Sequence, residues 1–284
     1  MMPLSNSSAE IHIPGGQFHL ASSLRVNYLG IAAHQDDLEF MALQGILPGL
    51  ANREASFGGV ICTDGSGSPR SGKYAGTTDP EMATIRRREQ RLAADIGQYR
   101  FVAQLGYSSK ELRDGGSPIK EDLASLCIAA QPRIVYTHNP LDKHDTHLHV
   151  LANVIETLRS LPAEIRPEQL YGCEVWRGLD WVNDEEKVAF DVSGSPHIAN
   201  ALNGIFDSQI AGGKRYDLAT DGRRRANATY AASHETDGAT HLALAVDLSA
   251  LLKNPRLDPV DFALGFIDRF RESAAAGLRR AFRS

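Results

Sequence analysis

The sequence has little of what would mark a special class of protein. Only three cysteines occur in 284 residues, at Cys62, Cys127 and Cys173. Their odd number, wide spacing and apolar surroundings (GGVICT, LASLCIAA, LYGCEVW) exclude a disulfide framework and read as buried free thiols in a reducing compartment. No window approaches the roughly 18 consecutive apolar residues that a membrane-spanning helix needs. The opening MMPLSNSSAEIHIPGG carries neither the basic nor the apolar segment of a secretory signal, so the cytoplasm is the expected location. An excess of positive charge is absent as well: 30 Lys and Arg stand against 35 Asp and Glu, a net charge of −5. The densest basic runs, Arg86 to Arg88 and Arg223 to Arg225, fall in mixed-charge helical patterns, which argues against a nucleic-acid surface. No glycine-rich turn follows the first core segment, and the acids that stand there would repel phosphate, so a nucleotide-binding reading is poorly supported.

What is present is an ordinary globular balance, with 42% hydrophobic and 23% charged residues. Arg25 to Ala33 is apolar without alternation, which suits a strand covered on both faces. EFMALQGILPGL follows as a short helix expected to end at Pro48 and Gly49, then FGGVICTDG as a second buried strand. The polar stretch 64–80 is longer than a simple turn and suits a cover over a site. Asp79, Pro80 and Glu81 start a helix that carries Met82, Ile85, Leu92 and Ile96 toward a core and ends at Gly97. FVAQLGY, the helix SPIKEDLASLCIAAQ, the strand RIVYTH and a helix through VLANVIETL complete an alternation of strand and helix up to about residue 160. This predicts a doubly wound parallel sheet with helices on both faces. Beyond it the pattern loosens into a smaller α+β portion: strands LYGCEVW and KVAFDV, an undecided apolar patch THLALAVDL, helices near IANALNGIF and RRRANATYAAS, and a last helix from Pro259 to Phe282.

Two polar clusters stand at strand ends, where open α/β sheets bind ligands. The first is HQDDLE, with His34, Asp36, Asp37 and Glu39; the second is HNPLDKHDTHLH, running from His138 to His149. An aspartate after a strand often caps the next helix, and closely spaced histidines are common in loops, so each cluster alone is a weak sign. Two imidazoles and a carboxylate, with one position left to water, make a catalytic zinc site, and clusters on separate strand ends can meet in one crevice. Metal binding is the favoured reading.

These residues carry a resemblance. HQDDLE resembles the HPDDxE signature of the LmbE-like, or PIG-L, family of zinc-dependent deacetylases, and DKHDTH resembles its second motif, DxHxDH. VICTDGSG is similar to the family's strand-to-loop segment, IRRRE to its R-x-x-E helix, and the four elements agree in order over residues 26 to 150. The resemblance implies a Rossmann-like core over residues 1–160 and a portion 161–284 that completes the same domain and shapes the pocket. It implies a zinc ion held by His34, Asp37 and His147, with iron, cobalt or nickel as other occupants. Asp36 would be the general base, His144 would face the substrate carbonyl, and Arg86 would contact substrate, unless it serves an intrahelical pair with Glu89. The implied reaction is N-deacetylation of a small-molecule amino sugar or its conjugate; an amidase acting on a larger thiol or sugar conjugate and a non-catalytic sugar- or metal-binding protein stay open. A homo-oligomer is compatible with all of these.

The chain departs from the pattern in places. Gln35 replaces the usual proline, a change expected to have little chemical effect. Thr146 replaces an aspartate that would tune His144, a role for which Asp142 and Asp145 are the neighbouring candidates. LGYSSKE lacks the Asp-Gly that many members carry there. Glu39 is read as lying behind the metal or at the helix start, His138 as strand-end structure or pocket wall, and His149 as an alternative third ligand. His12, His19, His197, His234 and His241 show no ligand spacing and read as structural or exposed.

Overall fold

Apolar runs without alternation become strands covered on both faces, and eight strands join in one sheet. The computed structural model describes residues 4–16, 24–52, 54–115 and 117–282; His19 lies outside them. The strands are β1 (Glu10–His12), β2 (Tyr28–Ala32), β3 (Phe57–Thr63), β4 (Phe101–Tyr107), β5 (Ile134–His138), β6 (Gln169–Cys173), β7 (Lys187–Asp191) and β8 (Leu242–Asp247). Their order across the sheet is β1-β4-β3-β2-β5-β6-β8-β7. The five from β2 to β6 run parallel. β1, β8 and β7 join antiparallel at the two edges.

The order reverses beside β2. After β2 the chain moves outward through β3 and β4, then returns to lay β5 on the other side of β2, pairing Tyr28 with Ile134 and Gly30 with Tyr136. A crevice opens at the carboxyl ends of two such strands because their following loops part in opposite directions. Both polar clusters leave the sheet there.

The helices are α1 (Asp37–Met41), α2 (Leu43–Ala51), α3 (Asp79–Ile96), α4 (Ser109–Asp114), α5 (Ile119–Ala130), α6 (Asp145–Ser160), α7 (Pro196–Gly204), α8 (Asp207–Ile210), α9 (Tyr216–Thr229), α10 (Ser249–Lys253) and α11 (Pro259–Ala281). Two apolar cores separate them by sheet face. One gathers Leu123, Leu126, Val150, Val154 and Leu158 from α5 and α6 with Leu251 and Phe266. The other gathers Leu38, Met41, Ile46, Ala93, Leu202 and Phe206 from the α1 to α3 side. α1 lies so close to β2 that a Cβ at Gly30 would stand 2.6 Å from Leu38 Cδ2. That contact seats the first turn of α1, and with it Asp37, against the strand end. Among the described residues no helix is long and apolar enough to cross a membrane.

Several local expectations need correction. The helix after the first strand is two helices with a break at Ala42, and it runs past Pro48 to Ala51. At that point proline forgoes a bond to the Gln44 carbonyl without stopping so short a helix. Leu92 and Ile96 are 44% and 41% exposed; the buried side of α3 carries Arg86, Glu89 and Gln90 instead. A helix that backs a polar site buries polar residues beside apolar ones, so apolar periodicity places Met82 in the core correctly but misses Arg86, Glu89 and Gln90. The patch THLALAVDL resolves as β8, and β1 is an edge strand too short to leave a pattern.

Candidate metal centre

The first cluster turns sharply as it leaves β2. Asp37 Oδ2 accepts a hydrogen bond from the His34 main-chain N at 2.8 Å and lies 3.2 Å from His34 Nδ1. From across the crevice, the first turn of α6 brings His147 Nε2 to 3.4 Å from Asp37 Oδ2 and 3.2 Å from His34 Nδ1. Three donor atoms from two strand ends therefore converge on one point. Behind His147, Asp142 Oδ2 stands 3.3 Å from Nδ1.

The charges agree with that convergence. Burial opposes charge on Asp37, yet the neighbouring His147 and the hydrogen bonds from His147 and His34 outweigh it and hold the carboxyl well below the usual range. Burial likewise disfavours a charged His147, but Asp37 and Asp142 reverse the balance and push it up to about 9. Two carboxylates thus focus negative charge on a spot framed by imidazole nitrogens. Two imidazoles and a carboxylate with an open side fit zinc or a similar divalent ion, and a carboxylate behind one histidine fixes the tautomer that a metal needs.

Asp36 stands outside this trio. Its backbone takes φ 93° and ψ −30°, a conformation an L-residue with a side chain seldom adopts, at a cost of about 1–3 kcal/mol that its surroundings must offset. Its N–H donates to Gln90 Oε1 at 3.2 Å. Gln90 Nε2 donates to Glu39 Oε1 at 2.8 Å, and Tyr99 OH donates to the same oxygen at 2.6 Å. Arg86 Nη1 donates to Asp36 Oδ2 at 3.1 Å, while its Nη2 donates to the Gln35 carbonyl. Arg224 closes the back of the turn by donating to the carbonyls of Glu39 and Phe40. Burial raises the Asp36 carboxyl to about 7 although Arg86 pulls it down. Burial raises Glu39 to about 8 against its two hydrogen bonds.

His34, Asp37 and Asp36 line a cavity of about 500 Å³, with His147 fully buried behind them. Its further lining includes Gly65, Ser68, Ser109, Arg113, His144, Thr146, Trp176, Lys214 and Tyr216. Trp176, Tyr216 and Phe40 form an aromatic wall, with ring centres 6.0 Å and 5.5 Å apart. His144, the residue before α6, sits 6.0 Å from the Trp176 ring and 4.5 Å from that of His147. Burial and the nearby His147 and His34 lower it to about 4, so it is a neutral imidazole.

Residues 29–158 match the family described as PIG-L, GlcNAc-PI de-N-acetylase. This stretch is a PIG-L family domain. No curated protein matches the chain. Among solved structures, N,N'-diacetylchitobiose deacetylase from Pyrococcus horikoshii is 16% identical, with a TM-score of 0.62 over 80% of this chain and 85% of that one. A conserved protein from Thermus thermophilus is 19% identical, with a TM-score of 0.58 over 82% and 99%. A 4-carboxy-2-hydroxymuconate hydratase from Pseudomonas putida is 15% identical, with a TM-score of 0.58 over 82% and 98%. At such identities these neighbours establish the fold alone.

Of the residues singled out by sequence, His34, Asp36, Asp37 and His144 line the cavity, and His147 lies buried against His34 and Asp37. Arg86 reaches it too, but it is 2% exposed and serves Asp36. The intrahelical pair with Glu89 is absent, because Glu89 accepts from the N–H and hydroxyl of Ser208 instead. His149 bonds its own helix at the Asp145 carbonyl and stands outside both sets of side chains close enough to share an ion, His34 with His144 and His147, and Asp37 with His138 and His147. His138 is buried and stacks on His147 at 3.8 Å, and its Nε2 accepts from the Ala33 N–H. Neither acid beside His144 serves its ring. Asp142 is committed to His147, the His144 main-chain N and the Trp176 N–H; Asp145 faces Arg113 and His149. Gln35 is more than a silent replacement, since its side chain donates to the Thr63 carbonyl and to Gln104, tying the turn to β3 and β4. Sequence reasoning missed Gln90, Arg113, Trp176, Lys214 and Tyr216, which sit on elements whose approach only the fold reveals; Asp142 was named, but as a partner of His144 rather than of His147.

Proposed function

We propose that the chain is a zinc-dependent deacetylase that hydrolyses the N-acetyl amide of an amino sugar or its conjugate. The observation that carries this reading is the placement of His34 Nδ1, Asp37 Oδ2 and His147 Nε2 within 3.2–3.4 Å of one another, beside an aspartate that stays out of the set. PIG-L membership of residues 29–158 points the same way. The fold alone does not, because a hydratase shares it.

His34, Asp37 and His147 would hold the ion. When bound, a divalent cation polarises the amide carbonyl and lowers the pKa of water to about 7. Asp36 would remove a proton from that water as it adds to the carbonyl carbon. A carboxyl near 7 holds the proton well enough to accept it and loosely enough to pass it on. The proton then goes to the departing nitrogen as the carbon–nitrogen bond breaks, leaving a free amine and acetate. Arg86 keeps the Asp36 carboxylate aimed into the cavity. Neutral His144 would donate a hydrogen bond to the carbonyl oxygen as charge develops there, which requires no carboxylate beside it.

The test is free-amine release from N-acetylated sugars by the full chain, with and without a chelator. Release that stops with chelator and returns with zinc is the expected result. Stoichiometric zinc together with unchanged release by Asp36→Ala would refute the mechanism.

A further inference from the structure

The cavity carries uncompensated positive charge. Asp36 and Asp37 are its lining acids, and both are engaged, one by Arg86 and the other by the histidines. Arg113, on α4, and Lys214, just before α9, also line it. The nearest acid to Arg113 is Asp145 at 3.9 Å, with both side chains substantially exposed, so that pair is weak. Lys214 forms no ion pair among the described residues; its Nζ lies 5.3 Å from the centre of the Trp176 ring. Lys143 approaches the same ring from a neighbouring cavity of about 260 Å³, at 5.7 Å, and is likewise free of an acid partner among the described residues.

Two of this chain's departures from the family pattern, at Thr146 and in LGYSSKE, lie on this surface. Thr146, in the place of an aspartate, has its hydroxyl 3.5 Å from Arg113 Nη1. A carboxylate at that position would neutralise the guanidinium, whereas threonine leaves its charge unspent. The segment LGYSSKE, without an Asp-Gly, places Ser109 in the lining where no acid competes. Neither Thr146 nor Ser109 adds negative charge to the wall beyond the metal trio, where Arg113 and Lys214 stand.

We infer that the substrate bears an anionic group, a carboxylate or a phosphate, apart from the amide that is cut, and that Arg113 and Lys214 recognise it. This rests on the deacetylase reading for the reaction and on the cavity alone for the anion. Arg113 offers a planar fork suited to two anionic oxygens, and Lys214 a mobile point charge held over an aromatic face. A neutral amino sugar would leave two cations facing the cavity without a partner, and a substrate cation would be repelled.

The experiment uses the zinc-loaded full chain and three probes that share one acylated sugar: N-acetylglucosamine, N-acetylglucosamine 6-phosphate and N-acetylmuramic acid, the last bearing a carboxylate. Amine release is followed for each, and binding is measured by calorimetry on Asp36→Asn. At least one anionic probe should show kcat/KM about 10- to 100-fold above the neutral sugar, the range of one or two charge-assisted hydrogen bonds. The advantage should appear in KM, shrink at high salt and fall in Arg113→Met and Lys214→Met, with turnover of the neutral sugar held. The phosphate and carboxylate arms identify which anion is preferred. Binding that favours the anions without release of amine from any probe would uphold this inference and remove the deacetylase reading. Equal handling of neutral and anionic probes, or a preference that survives both substitutions, would overturn it.

Discussion

The two sides of the cavity are built differently. On the β2 and β5 side the polar side chains are buried and linked to one another: Asp37 meets His34 and His147, Arg86 meets Asp36, Gln90 meets both Asp36 and Glu39; Glu39 Oε2, Arg86 Nε and His138 Nδ1 keep no hydrogen-bond partner among the described residues. On the other side Arg113, Lys214 and Trp176 are partly exposed and sparsely paired. The difference separates two tasks. Chemistry needs donors fixed to within a fraction of an ångström, and a buried, interlinked set of side chains supplies that rigidity. Recognition leaves its partners to the substrate, so its side chains wait unpaired.

Breaking the paired side should cost most. Replacing His147 by alanine removes one donor of three and one of the imidazoles that face Asp37; metal content by elemental analysis should fall below one equivalent and amine release should vanish. Asp36→Asn keeps the trio, so zinc should stay stoichiometric while kcat drops about 10²- to 10⁴-fold, the usual worth of general acid–base catalysis. Asp142→Asn weakens the carboxylate behind His147 and should lower zinc affinity about 10- to 100-fold in a competition titration, as is typical of such partners. Gln90→Met, which frees the strained Asp36 turn, should lower kcat more than it raises KM.

The same side should also govern pH. Glu39 sits near 8 when folded against an ordinary value of about 4.3 when unfolded. Between these values the unfolded chain has lost the proton that the folded chain keeps, so this group makes stability fall as pH rises from about 4.3 to 8. Thermal melts of Glu39→Gln should show a shallower decline across that window than the parent. The smallest effect is expected far from both walls: Leu92→Gln on the exposed side of α3 should change stability by about 0.5 kcal/mol or less in urea melts.

The same contrast decides what could be read from sequence. The five parallel strands announce themselves as apolar runs, and the trio lies in short motifs at their ends, so His34, Asp37 and His147 were legible before any coordinates. Gln90 was not, because a glutamine mid-helix has no pattern; it matters only where α3 crosses behind Asp36. The apolar spacing of α3 pointed to Leu92 and Ile96 as core, while burial fell on Arg86, Glu89 and Gln90. Trp176, Lys214 and Tyr216 come from a third of the chain with loose alternation, the first just beyond the parallel strand β6 and the other two from the segment between β7 and β8. Thr146 was visible as a departure, but its meaning depended on Arg113 lying beside it.

The central claim is that three donors hold one divalent ion and that Asp36 acts beside it. Its most direct measurement is a zinc titration of the chelator-stripped full chain, following free-amine release from an N-acetylated sugar phosphate in the parent and in Asp36→Asn. The account predicts that release by the parent rises to a plateau at one equivalent of zinc, while Asp36→Asn binds the same equivalent and stays inactive. Release that persists in the stripped chain, or an Asp36→Asn curve that follows the parent, would contradict it.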